Sequence, residues 1–261
     1  MPMINRLVLA LLLTAGLPGL PALAAQPAAR ADIIELLPPP PSADSPEQQA
    51  DLQAVLEAQR SARAQGTTAH AVADSQESCG RFSDALGADL TSSSNSKLLA
   101  FLDRTAGKGA LISVPAKKYW KRTRPYAFSA EVEPLGDVSP QATSIPEIDT
   151  GGKPNPDKQK AADELAHSSY PSGHATFGTI CVILLADMVP EKRTALFARN
   201  RDYEHSRMVL GAHFPSDLEA GRIAGTLASQ RLLQNPTFRR DLRRAQLGLR
   251  AELGLPPEYQ E

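Results

Sequence analysis

Segments patterned for helix, each bounded by a recognisable cap or breaker, run through most of this chain beyond residue 45, and strand signals are nearly absent. Ser45 can cap a helix that opens on Pro46, with Gln48 completing a capping box; Leu52, Val55 and Leu56 share one face before Gly66 stops it. Further helical stretches are predicted at 69–86, at 97–105 with Leu98, Leu99, Phe101 and Leu102 on one broad face, and at 116–121. They resume at 172–188, 191–210, 216–233 with Ser216 as cap, and 236–253 with Asn235 as cap. The expectation is all-α: one single-domain helical bundle whose short loops bring neighbouring helices together.

Two regions break this pattern. Residues 25–44, with Leu36-Leu37 followed by four prolines, read as an extended arm. Residues 129–169, interrupted by Pro134, Gly136, Pro140, Pro146, Gly151, Gly152, Pro154 and Pro156, read as a long loop or lid where substrate preference would reside. Ahead of the arm, Arg6, the apolar run 7–13 and Ala22-Leu23-Ala24-Ala25 read as a signal peptide over 1–24. That run is too short to span a bilayer, so an exported protein, periplasmic or secreted and without a membrane anchor, is expected. For such a chain Cys79 and Cys181 could form a bridge or stay two separately buried thiols. With 28 basic against 29 acidic residues there is no basic stripe for a nucleic-acid polymer, so an anion site has to be built locally.

Three short segments could build one. Lys117 is followed by Arg124-Pro125; Pro171-Ser172-Gly173-His174 opens an apolar helix; Ser206-Arg207 is followed by His213 and Asp217. Hydrolysing a phosphomonoester takes a nucleophile, a proton donor for the leaving group and positive charge around the phosphoryl oxygens. Lys117, Arg124 and Arg207 offer three cations, the arginines with a fork that binds two oxygens at once. Ser172 and Gly173 precede a helix N-terminus, which favours an anion, and Gly173 lets the backbone approach it. If Asp217 accepts from one ring nitrogen of His213, the other is left as nucleophile. His70, His167 and His205 match no motif and read as surface or loop residues. Tyr119, Trp120 and Tyr126 read as packing around Arg124, and the arginines at 239, 240, 243, 244 and 250 as a solvated helix face. No Cys/His cluster has zinc spacing and no acidic pair suggests a two-metal site, so neither metal nor cofactor is expected.

The ordered pattern K-x6-RP, PSGH and SR-x5-H-x3-D resembles the signature of the type-2 phosphatidic acid phosphatase superfamily, which includes bacterial non-specific acid phosphatases, membrane lipid phosphatases and vanadium haloperoxidases. Leu36-Leu37 with its four prolines and Asn235-Pro236-Thr237-Phe238 are further similar to the secreted class A acid phosphatases. The resemblance implies a bundle of the acid phosphatase/haloperoxidase type over 45–261. It implies that His213 attacks phosphorus to form a phosphohistidine, oriented by Asp217, and that His174 protonates the leaving group and then activates water. Lys117, Arg124, Ser172, Gly173 and Arg207 would hold the phosphate. Soluble phosphomonoesters are then the substrates and inorganic phosphate the product, and a homo-oligomer is compatible with the family. Two alternatives share the motifs. A vanadium haloperoxidase would hold vanadate at the same residues, and Pro171-Ser172-Gly173-His174-Ala175-Thr176-Phe177-Gly178 does not discriminate, but the chain length and the proline-rich arm favour the phosphatase. A non-catalytic phosphate-binding protein would keep the pocket without turnover, and the intact motifs count against it.

Overall fold

The computed structural model describes residues 32–138 and 156–258. The signal peptide expected at 1–24, the start of the arm and residues 139–155 lie outside the described residues. Among the described residues all regular structure is helical. The chain runs through α1 (Ile33–Leu36), α2 (Pro46–Gln65), α3 (Thr68–Ala73), α4 (Ser83–Leu86), α5 (Ser96–Ala110) and α6 (Val114–Trp120). It continues through α7 (Pro125–Phe128), α8 (Pro156–Ala166), α9 (Gly173–Met188), α10 (Arg193–Val209), α11 (Pro215–Leu233) and α12 (Pro236–Glu252).

Helix α9 is the axis of the bundle because its sequence is apolar nearly all round, and a helix without a polar face has to be surrounded. Helices α5, α10, α11 and α12 pack around it. Its Ile180, Val182, Leu184 and Leu185 are buried with Phe82, Leu86, Leu102 and Leu196 from its neighbours. Helix α11 comes closest because Gly221 and Gly225 face α9: a Cβ at either would lie 2.6 Å from the Ser172 carbonyl oxygen or 2.7 Å from that of Thr176. This close approach holds the N-terminal ends of α9 and α11 side by side. A disulfide joins Cys79 to Cys181 in the middle of α9, with both residues fully buried.

Several local readings give way to tertiary contacts. The arm is not wholly extended, since α1 forms with its N-terminus capped by Asp32, and Ile33 and Leu37 bury against Ala116 and Tyr170. The 129–169 segment is not one loop: Gly136–Val138 form a 3₁₀ turn, and α8, built from strong helix formers, opens on Pro156. The helix expected over 69–86 breaks after Ala73, where the Asp74 carboxylate is drawn inward by Arg81, Arg199 and Ser206. Ser45 caps α2, but Gln48 does not close a capping box; its carbonyl oxygen accepts from Arg122 instead. The cap of α11 is Phe214 rather than Ser216, whose hydroxyl bonds Arg122 and Asp51. Arg250 is not on a solvated face: it is fully buried, with its guanidinium on Glu191 and its Nε donating to the Pro256 carbonyl.

Inside the bundle, Glu204 accepts from Asn200 at 2.8 Å and pairs with Arg222, tying α10 to α11. Burial pushes its carboxyl up to about 7 despite the Arg222 charge. A carboxyl whose folded value is raised contributes stability in full below its unfolded value, 4.5, and that contribution is lost as pH rises through about 7. Glu204→Gln should therefore flatten the stability profile between pH 5 and pH 8 by about 3 kcal/mol, with its largest relative gain at pH 8. Urea unfolding at both pH values measures this, and a parallel shift at both would contradict it.

Candidate active site

The three motif segments meet where α6, α7, α9, α10 and α11 converge. Lys117 lies in the last turn of α6, and Lys121, in the left-handed region at φ 46°, ends that helix. Arg124 is the N-cap residue of α7, fixed by the helix-opening Pro125. Ser172 caps α9, its hydroxyl oxygen accepting from the Ala175 amide at 3.1 Å. Arg207 occupies the last turn of α10, and a tight turn through Gly211, at φ 70°, brings His213 back beside it. Asp217 sits in the first turn of α11, where its Oδ2 accepts from the Phe214 amide at 2.8 Å.

His213 Nε2 is 3.3 Å from Arg124 Nη1, and its Nδ1 is 3.5 Å from Asp217 Oδ2, long for a hydrogen bond. Arginine can only donate, so the Arg124 contact leaves Nε2 as the lone-pair nitrogen and Nδ1 as the protonated one. Arg124 is itself fixed by the Ala212 and Leu165 carbonyls at 3.0 and 2.9 Å and by Ser168 Oγ at 3.2 Å. Lys117 Nζ donates to the Ser168 carbonyl at 2.6 Å. The Gly173 backbone faces Lys117: a Cβ there would be 3.8 Å from Lys117 Cε. Arg207 forms a two-pronged pair with Asp137 at 2.9 and 2.8 Å, and its Nε is buried without a hydrogen-bond partner among the described residues. His174 Nε2 is 3.0 Å from the Asp74 carbonyl oxygen, and its Nδ1 is 3.0 Å from Glu77 Oε1.

Burial, followed by the charges of Arg124, Lys117 and Arg207, holds the His213 imidazole well below its ordinary range, which favours the neutral ring. Burial and the Arg124 charge bring Lys117 down to about 7. Burial and Arg207 bring Arg124 down to about 10, still well protonated. Lys117 and Arg124 spend their hydrogen bonds on neutral partners and Arg207 on the Asp137 carboxylate, so three cations lie together with one anionic partner, a concentration of positive charge that favours a further anion.

All eight residues singled out from the motifs, Lys117, Arg124, Ser172, Gly173, His174, Arg207, His213 and Asp217, lie in this region. His70, His167 and His205 are exposed. Trp120 packs edge-on against Tyr170 at 5.0 Å, whereas Tyr119 is 65% exposed and does not pack around Arg124. Four contributors carried no sequence signal. Arg122 donates to Asp217 Oδ1 at 2.6 Å and to Asp51 at 2.8 Å, with its guanidinium over the Phe214 ring. Ser169 donates to Asp217 Oδ2 at 2.6 Å. Glu77 and Asp137 approach from the 74–78 break and the 136–138 turn. Among the described residues no three His, Cys, Asp or Glu side chains gather as metal ligands, and no helix is long and apolar enough to cross a membrane.

A family model described as the PAP2 superfamily matches residues 99–241. The chain is 28% identical over 210 residues to a non-specific acid phosphatase of Salmonella typhimurium, covering 79% of this chain and 75% of that protein. It is 29% identical over 220 residues to a non-specific acid phosphatase of Providencia stuartii, covering 82% and 79%. Over a shorter stretch of 74 residues it is 38% identical to an acid phosphatase of Zymomonas mobilis, covering 28% of each chain.

Proposed function

The chain belongs to the PAP2 superfamily, and from the chemistry of its site we propose that it is an acid phosphatase that hydrolyses soluble phosphomonoesters through a phosphohistidine, without a metal. The observation that carries this reading is the placement of His213, with Nε2 3.3 Å from Arg124 Nη1, which leaves the lone pair on that nitrogen, and Nδ1 turned toward Asp217. An anion drawn in by Lys117, Arg124 and Arg207 meets that lone pair directly.

In the first half-reaction a bond forms between His213 Nε2 and phosphorus as the ester P–O bond breaks. His174 gives its proton to the departing oxygen. Lys117, Arg124, Arg207 and the Gly173 and His174 amides at the start of α9, which make no bond within the helix, take up the charge on the phosphoryl oxygens. In the second half-reaction water attacks the phosphohistidine, its proton passes to His174, and the P–N bond breaks to return neutral His213 and inorganic phosphate. Asp217, saturated by Arg122, Ser169 and the Phe214 amide, is a fixed negative wall for the imidazole. Export to the periplasm or beyond belongs to the same reading, with residues 1–24 as leader, 25–44 as arm and 45–261 as the enzyme. The leader pattern and the buried disulfide support it. N-terminal sequencing of the mature protein tests the cleavage after Ala24 or Ala25.

Lys117 makes the reading testable by pH. With its ammonium near 7 in the free site, the third cation is lost as pH rises, so kcat/KM on an aryl phosphate, whose leaving group needs little protonation from His174, should fall about tenfold per unit above pH 7. In Lys117→Arg, whose charge persists, that limb should move upward. A limb in the same place would mean that another group governs it. A substrate panel run with and without chelator completes the test, since activity abolished by the chelator would refute the metal-free mechanism.

A further inference from the structure

His174 is held at both ring nitrogens, and the two partners together dictate its protonation. The Asp74 carbonyl oxygen has no proton to give, so His174 Nε2 must carry one. That carbonyl is a fixed acceptor, because the Asp74 carboxylate is anchored by Arg81 at 2.9 Å, by Ser206 at 3.0 Å and by Arg199. Proton exchange is thereby confined to Nδ1, which is 3.0 Å from Glu77 Oε1. The His174 side chain is only 6% exposed while that of Glu77 is 49% exposed, so Glu77 stands between the ring and solvent.

We propose that Glu77 is a positioning residue that keeps a transferable proton on His174 Nδ1, a role that rests on the acid–base function proposed above for His174. A carboxylate can only accept, so a proton lies on Nδ1 in the paired state and the ring is an imidazolium, the form a general acid requires. The other groups facing the ring cannot do this. Arg207 from α10 opposes the imidazolium, and Asp137 from the 136–138 turn is committed to Arg207. His213 is neutral, and Tyr203, which burial keeps protonated, stacks its ring on His174 at 5.1 Å. Burial and Arg207 pull His174 below its ordinary range, and the Glu77 hydrogen bond is the leading influence that resists them. The same bond holds the Glu77 carboxyl below its usual range, so it is ionised. When the ester bond breaks, the leaving oxygen takes the place of Glu77 Oε1 at Nδ1 and receives its proton, leaving a neutral ring with its proton on Nε2. In the second half-reaction Nδ1 recovers a proton from the attacking water, and Glu77 remains a carboxylate throughout.

The experiment compares Glu77→Gln, Glu77→Asp and His174→Ala on p-nitrophenyl phosphate, whose leaving group needs little protonation, and on an alkyl phosphate, whose leaving group needs it fully. Glu77→Gln should lose about tenfold in kcat/KM on the alkyl ester with much less loss on the aryl ester, and the alkaline limb of the alkyl-ester profile, which follows the His174 proton, should move to lower pH. Glu77→Asp should restore much of both, and Glu77→Gln should add little in the His174→Ala background. Equal losses on the two esters with an unmoved pH limb would overturn the role of Glu77. Equal losses on the two esters in His174→Ala would instead overturn the acid–base role of His174 and this inference with it. Imidazole ¹⁵N shifts of His174 give a readout independent of turnover, and an unchanged titration in Glu77→Gln would also overturn the proposal.

Discussion

His213→Ala should lose on the order of 10⁴-fold or more in turnover of p-nitrophenyl phosphate while still binding inorganic phosphate. The size of the effect follows from what the ring alone supplies. Lys117, Arg124 and Arg207 remain in the variant to attract the anion, so its binding persists. Below pH 7, where Lys117 keeps its proton, the other candidates are engaged: His174 at both nitrogens, and the Ser172 hydroxyl as acceptor of the Ala175 amide. The preference of His213 for the neutral ring is also specific to its surroundings, since an ordinary imidazole takes up a proton, and loses its nucleophilic lone pair, at higher pH. Here burial and three cations hold the proton off, so the groups that bind the phosphoryl also keep the nucleophile ready. Quenching the wild-type enzyme in alkaline denaturant during turnover should trap a phosphoryl adduct that is alkali-stable and acid-labile, and the variant should trap none. Near-normal turnover in His213→Ala, or an adduct surviving in it, would refute the phosphohistidine.

What was legible from the residues was mostly local. Ser45, Ser172 and Asn235 cap the helices expected of them because an N-cap bond spans only two or three residues. Singly, a lysine, an Arg-Pro step or a His-x3-Asp pair has many competing uses; the eight motif residues stood out only as one ordered pattern, and the fold brings them to one region. Where a residue's role comes from a distant partner, local reasoning failed. Gln48 has the spacing of a capping box, but Arg122, 74 residues away, claims its oxygen. Arg250 looks like one of a row of surface arginines until Glu191, 59 positions earlier, buries it. Helix α8 was hidden by the density of prolines and glycines before it, although its own residues favour helix. Most telling is the break at 74–78: the sequence there can continue a helix, and it stops because the Asp74 carboxylate turns inward to Arg199, 125 residues on. That break delivers the Asp74 carbonyl and Glu77 to His174, so the place where helix periodicity fails is a place where the site is built.

The double variant Cys79→Ala/Cys181→Ala should lose about 4 kcal/mol of unfolding free energy. The bridge spans 102 residues, and closing a loop of that length in the unfolded chain removes about that much in entropy. Both cysteines are fully buried, so the cross-link is out of reach of a reductant in the folded state and exposed only on unfolding. A urea titration of the wild type should therefore show a lower midpoint with reductant than without, while the double variant should be insensitive to it. The loss should reach the chemistry as well. Cys79 follows the 74–78 break directly, and its amide and the neighbouring Ser78 hydroxyl donate to Asp103 on α5. With the bridge gone those two hydrogen bonds hold the break with less support, and the Asp74 carbonyl and Glu77 lose definition against His174. Alkyl phosphate turnover should then fall more than aryl phosphate turnover at temperatures where the variant is still folded. An unchanged urea midpoint, or two titratable thiols in the denatured, unreduced wild type, would remove the bridge from the account.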